Sequence, residues 1–128
     1  MSLKILIVDD ESHIRSLIEQ SLEELEDNGV DFFTAENGEQ GLEIIKTENP
    51  QLVFLDVMMP KMNGMEVCRR VKKELHKGDV YIVLLTAKGQ ELDRIKGQEV
   101  GADIYITKPF SPDVLLKKAR EVLGIAAE

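Results

Sequence analysis

Apolar residues along this 128-residue chain change period repeatedly, from short unbroken runs to spacings of three and four. Five runs are short and rich in Val, Ile and Leu, which predicts strands: Leu3 to Val8, Val30 to Ala35, Leu52 to Leu55, Val80 to Leu85 and Asp103 to Ile106. A stretch of helical period follows each. Ile14, Leu17, Ile18, Leu22 and Leu25 share one face of a first helix. Leu42 and Ile45 anchor a second over about 39–47, where Gly38 and Gly41 offer close backbone approach. Val67, Cys68, Val71 and Leu75 anchor a third over 65–75. A fourth, over about 90–99, has only Leu92 and Ile95 as anchors, beside Gly89 and Gly97. The fifth opens at Ser111-Pro112, a cap followed by Pro at the first helical position, and carries Val114, Leu115, Leu116, Ala119, Val122 and Leu123.

Regular alternation of strand and helix with short connections predicts an α/β domain, a parallel sheet covered by helices on both faces, because right-handed crossovers place them there. Strands two to four read as buried on both sides. The length suits a single domain over residues 1–128, with no attached output module expected. Composition adds little beyond exclusions. With 43% hydrophobic and 31% charged residues the chain reads as soluble and globular. It shows no apolar run near a membrane span and no secretory leader, so the cytoplasm is the default. A net charge of −8 opposes direct nucleic-acid binding. The basic groups Arg69-Arg70, Lys72-Lys73, Lys117-Lys118 and Arg120 read as solvated helix faces, lone Cys68 as core, and His13 and His76 as surface or helix-packing residues.

In such a sheet, ligands sit at the carboxyl ends of the strands. The polar residues collect there: Asp9-Asp10-Glu11 after strand one, Asp56 after strand three, Thr86-Ala87 after strand four and Thr107-Lys108-Pro109-Phe110 after strand five. Singly, each has an ordinary explanation: acids at a helix start, a hydroxyl cap, a surface lysine. Together, Asp9, Asp10 and Asp56 would repel one another or bind protons unless a cation neutralised them. A hard divalent ion such as Mg²⁺ uses one or two carboxylates, waters and a phosphate oxygen. Asp56 then reads as a nucleophile able to form an acyl phosphate, with Lys108 and the metal offsetting charge on the transferring group and Thr86 donating a hydroxyl.

The acidic pair, "LDVMMP" around Asp56, "LLTA" with Thr86-Ala87, and "YITKPF" with Tyr105 and Lys108-Pro109 resemble the CheY-like receiver domain of two-component response regulators over essentially the whole chain. The resemblance implies a flavodoxin-like, doubly wound (βα)5 fold with strand order 2-1-3-4-5. It implies phosphorylation of Asp56 by a sensor histidine kinase or a histidine phosphotransfer protein. It implies Mg²⁺, with Mn²⁺ as a substitute, held by Asp10 and Asp56, by the backbone carbonyl of Met58 and by Asp9 through water. Thr86 and Tyr105 match the family's switch pair, Lys108 its phosphate-binding lysine, and Lys108-Pro109 its cis peptide. The surface of the fourth helix, fifth strand and fifth helix is the expected face for an unknown downstream protein, on a monomer or a weak phosphorylation-dependent homodimer. Bulky Met58 beside the site predicts slow self-dephosphorylation, so no enzyme turnover is expected beyond the protein's own phosphoryl chemistry.

Other readings share the architecture. A flavin mononucleotide carrier needs a phosphate loop that Asp9-Asp10-Glu11 would repel. A metal-dependent aspartyl phosphatase usually has a second Asp two positions after its nucleophile, where this chain has Met58. A phosphate-independent binding module fits only an inert site, and no glycine-rich loop followed by Lys-Ser or Lys-Thr supports a nucleotide-binding loop.

Overall fold

The computed structural model describes residues 2–87 and 99–126. Five strands, β1 (Leu3–Val8), β2 (Val30–Ala35), β3 (Leu52–Asp56), β4 (Tyr81–Ala87) and β5 (Ile104–Lys108), form one sheet. Its order is β2-β1-β3-β4-β5 and every pair is parallel. The described helices are α1 (Ser12–Ser21), α2 (Gly38–Glu48), α3 (Gly64–Arg69) and α4 (Pro112–Leu123). The helix predicted over about 90–99, with Leu92 and Ile95, lies outside the described residues except for Glu99, which is helical.

Alternation along the strands divides the core. Ile5, Ile7, Phe54, Val83 and Leu85 pack with Ile18 of α1 and with Leu115 and Ala119 of α4. Leu6, Val8, Val53, Leu55 and Leu84 pack on the other face with Leu42 and Ile45 of α2 and with Val67 and Cys68 of α3. Cys68 is buried there as expected, and burial pushes its thiol pKa up to about 12, which leaves it unreactive. Three helix starts are capped by side chains, Ser111 as the sequence predicts. Asn37 accepts a hydrogen bond from the Gln40 N–H at 2.9 Å, Asn63 from the Glu66 N–H at 3.0 Å, and Ser111 from the Asp113 N–H at 3.2 Å ahead of Pro112.

Four expectations need correction. Strand two is not buried on both sides: β2 is an outer strand, and Asp31 and Thr34 are exposed. The first helix is shorter than its apolar spacing suggests. It stops at Ser21, and the chain tightens into a 3₁₀ segment, Glu23–Asn28, closed by Gly29 at a φ of 82°. Leu22 and Leu25 still reach the core, but Leu17 is 40% exposed and lines an apolar groove of about 290 Å³ with Ile14, Ala87, Lys108, Pro109 and Phe110. The third helix passes into a π segment, Arg70–Glu74. Finally, Lys72 and Arg120 are not solvated. The Lys72 side chain is 8% exposed and pairs with Asp103, and Arg120 is 12% exposed and pairs with Glu24 at 2.7 Å. The two histidines are exposed, as expected.

Candidate phosphoryl and metal site

The site forms where β1, β3 and β5 end. Ile7, Phe54 and Ile106 all face the α1 and α4 side, so strand alternation carries Asp9, Asp56 and Lys108 onto that same side. Asp9 is fully buried and Asp56 is 4% exposed. The Lys108 ammonium stands between them, 3.1 Å from Asp9 Oδ2 and 3.2 Å from Asp56 Oδ1. β5 is in register with β4, which sets Lys108 opposite Ala87 and Thr107 opposite Thr86. The following Lys108-Pro109 bond is cis, as expected.

Asp9 is fixed from several directions. Its N–H donates to the Ala35 carbonyl at 3.2 Å, its carboxylate accepts from the Glu11 N–H at 2.9 Å, and its carbonyl accepts from Arg15 Nη1 at 2.7 Å. Asp10 and Glu11 are exposed, and with Asp9 they bring carboxylate oxygens within 4.8 Å of one another. Asp56 is joined to this group through Lys108 rather than belonging to it.

The electrostatics leave the site short of positive charge. Desolvation pushes the Asp56 pKa up to about 6, and the Asp9 carboxylate adds to the rise while Lys108 opposes it. Burial works against the Lys108 charge, but Asp56 and Asp9 outweigh it, and the ammonium pKa is raised. Among the described residues, one lysine beside four carboxylates is incomplete compensation. The carboxylate oxygens of Asp9, Asp10 and Glu11 form a compact set of hard donors able to hold a metal ion.

Thr86 and Tyr105 lie on the opposite side of the sheet. Tyr105 is in register with Leu84, Thr86 is two residues past Leu84, and Tyr105 packs partly buried against the α2 and α3 core. Thr86 is 2% exposed. Met58 is 62% exposed, two residues beyond Asp56. Two contributors escape sequence reading: Arg15 holds the Asp9 backbone, and Gly64 touches the strand that ends in Asp56. A Cβ on Gly64 would lie 2.3 Å from the Asp56 carbonyl oxygen. Only the Asn63-Gly64 dipeptide, a turn signal, marked the last of these.

Residues 5–120 match the response regulator receiver domain, and the chain belongs to that family. It is 50% identical over 120 residues to a probable transcriptional regulator, ycf27, of Porphyra purpurea, covering 94% of this chain and 47% of that one. It is 44% identical over 123 residues to the alkaline phosphatase synthesis transcriptional regulatory protein PhoP of Bacillus subtilis, covering 96% and 49%. A crystal structure described as a putative response regulator from Chloroflexus aurantiacus superposes with a TM-score of 0.83 at 32% identity, covering 97% of this chain and 99% of that one. The chain thus spans about half the length of the curated relatives it matches. The doubly wound receiver fold expected from the sequence is the one observed. No described helix is long and apolar enough to cross a membrane.

Proposed function

We propose that the chain is a phosphorylation-dependent signalling switch that accepts a phosphoryl group on Asp56 from the phosphohistidine of a sensor histidine kinase or a histidine phosphotransfer protein. The carrying observation is Lys108 within 3.2 Å of a nearly buried aspartate whose pKa is pushed up to about 6. At neutral pH Asp56 is mostly ionised yet poorly solvated, which favours attack on phosphorus. An Asp56 oxygen bonds to phosphorus as the P–N bond breaks, and the bonding pair returns to the imidazole. Lys108 is placed to follow the charge from the carboxylate onto the phosphoryl oxygens. Mg²⁺ would be held by Asp10 and Asp56, by the Met58 carbonyl and by Asp9 through water, and Glu11 is a further donor. When bound, it neutralises charge on the carboxylates and the transferring group.

Readout follows from the sheet. A phosphoryl group extends Asp56 past the end of β3, where Thr86 follows Leu85, the register partner of Asp56, on β4. Movement of Thr86 changes the space beside Tyr105. One hydrogen bond to a charged group contributes about 1.5–3 kcal/mol, whereas moving a population from 1:99 to 99:1 takes about 5.5 kcal/mol. Lys108 and partner binding supply the remainder, so the response is a graded shift of the face that includes β5 and α4. The downstream target is a protein in the cytoplasm. Relatives named as transcriptional regulators are twice this length, and with a charge of −8 this module does not itself hold nucleic acid.

The test is intact mass after incubation with Mg²⁺ and a small acyl phosphate. Gain of one phosphoryl group, lost in Asp56→Asn and without metal, is expected. Labelling that persists in Asp56→Asn would overturn the assignment.

A further inference from the structure

We propose that Met58 is a site of reversible oxidation, and that its sulfoxide shortens the life of a phosphoryl group on Asp56. The second half rests on the phosphoacceptor reading above; the first does not.

The connection after β3 and the first turn of α3 hold four methionines: Met58, Met59, Met62 and Met65. The last three are partly buried and pack against the core on the α2 and α3 side. Met58 alone among them is solvated, at 62% exposure. Oxidation needs access of a peroxide to a sulfur lone pair, so exposure selects Met58. The sulfur attacks one peroxide oxygen, the O–O bond breaks, and the second oxygen leaves as water after proton transfer. The thioether loses two electrons and the hydroperoxide gains them. Thiol-dependent sulfoxide reductases reverse the step.

Position turns this from damage into a signal. Oxidation of a core-packed methionine inserts a polar oxygen among apolar side chains, whereas Met58 contributes little packing and its oxidation leaves the fold intact. It also follows Asp56 by two residues, just past the carboxyl end of β3. A thioether there is an apolar cover. A sulfoxide is a strong hydrogen-bond acceptor that orders water at the same place.

The experiment treats the folded wild-type chain with limiting hydrogen peroxide and maps oxygen uptake by peptide mass. Decay of the phosphoprotein, loaded with Mg²⁺ and a small acyl phosphate, is then followed by intact mass. Met58 should oxidise several-fold faster than Met59, Met62 and Met65, and the phosphoryl half-life should fall several-fold. Peroxide should leave the half-life of Met58→Leu unchanged, and Met58→Gln, a sulfoxide mimic, should shorten it without oxidant. Equal oxidation of the four methionines overturns the site. Selective oxidation with an unchanged half-life, or an equal peroxide effect in Met58→Leu, overturns the consequence. A chain that takes up no phosphoryl group overturns the phosphoacceptor reading and that consequence with it, while the peptide map still decides the oxidation.

Discussion

The Lys108 ammonium lies 3.2 Å from the Asp56 carboxylate, a pairing of residues 52 positions apart that ties the end of β5 to the end of β3. Because the same ammonium also reaches Asp9, one side chain compensates two buried acids. Lys108→Met removes that compensation and leaves both carboxylates nearly buried. Lysine at a partly exposed edge is worth less than a fully buried partner, so the expected loss is about 1–3 kcal/mol. Urea unfolding at pH 7 without metal should show it, and added Mg²⁺ should restore part of the loss. Phosphorylation by a small donor should fall at least tenfold.

Asp56 gives stability a definite pH dependence. Its folded pKa of about 6 lies above the usual unfolded carboxylate value near 4, so the folded state binds the proton more tightly. Stability from this group is therefore fully present below about pH 4 and is lost as pH rises through about 6, by about 3 kcal/mol in all. Other acids titrate too, so the comparison is wild type against Asp56→Asn across pH. Without metal, the asparagine variant should gain relative to wild type through that window and stay more stable at pH 7. Mg²⁺ should erase the difference by favouring the ionised carboxylate.

Gly64 is set by contact rather than by backbone conformation. A Cβ there would meet the Asp56 carbonyl oxygen at 2.3 Å and the Val57 Cα at 3.0 Å, both backbone atoms that cannot rotate away. Gly64→Ala must displace either α3 or the Asp56 backbone, at a cost of about 1–3 kcal/mol. Gly78, whose added Cβ meets nothing within 4 Å, is the control. Thermal unfolding should show a clear drop for Gly64→Ala and almost none for Gly78→Ala, and only the former should slow phosphorylation.

How much of this was legible follows from what kind of signal each feature leaves. β1 and β2 begin and end where their apolar runs do. β4 and β5 run on to Ala87 and Lys108, because ladder hydrogen bonds continue under polar side chains that hydropathy discounts. The collection of Asp9, Asp56, Thr86 and Lys108 at one edge was readable from topology alone. Which of them touch was not, since Lys108 meeting both acids depends on strand register and on the length of one side chain. Leu17 and Lys72 misled in opposite directions. Helical period put Leu17 in the core when α1 faces it into a groove, and charge put Lys72 in water when its neighbours bury it.

That burial makes Lys72 a structural cross-link with a measurable coupling. Its Nζ donates to the carbonyls of Gly78 and Val80, at 3.2 and 2.5 Å, and to Asp103 Oδ2 at 3.0 Å. The same Asp103 oxygen accepts from the Ile82 N–H at 2.8 Å, while the Asp103 N–H donates to the Ile82 carbonyl at 3.0 Å. Three segments therefore meet at the amino edge of the sheet: the π segment after α3, the entry to β4 and the entry to β5. Asp103→Ala leaves a nearly buried ammonium with carbonyl partners alone and the Ile82 N–H without its carboxylate, so a loss of about 2 kcal/mol is expected. Lys72→Met keeps the aliphatic stem and removes the charge, and should cost less. In the double variant neither partner is left behind, and its loss should fall short of the sum of the single losses by about 1–2 kcal/mol. Urea midpoints for the four proteins measure this directly, and additive losses would show the pair to be uncoupled. Asp56 lies at the other end of the strands, so its phosphorylation rate should be the same in all four.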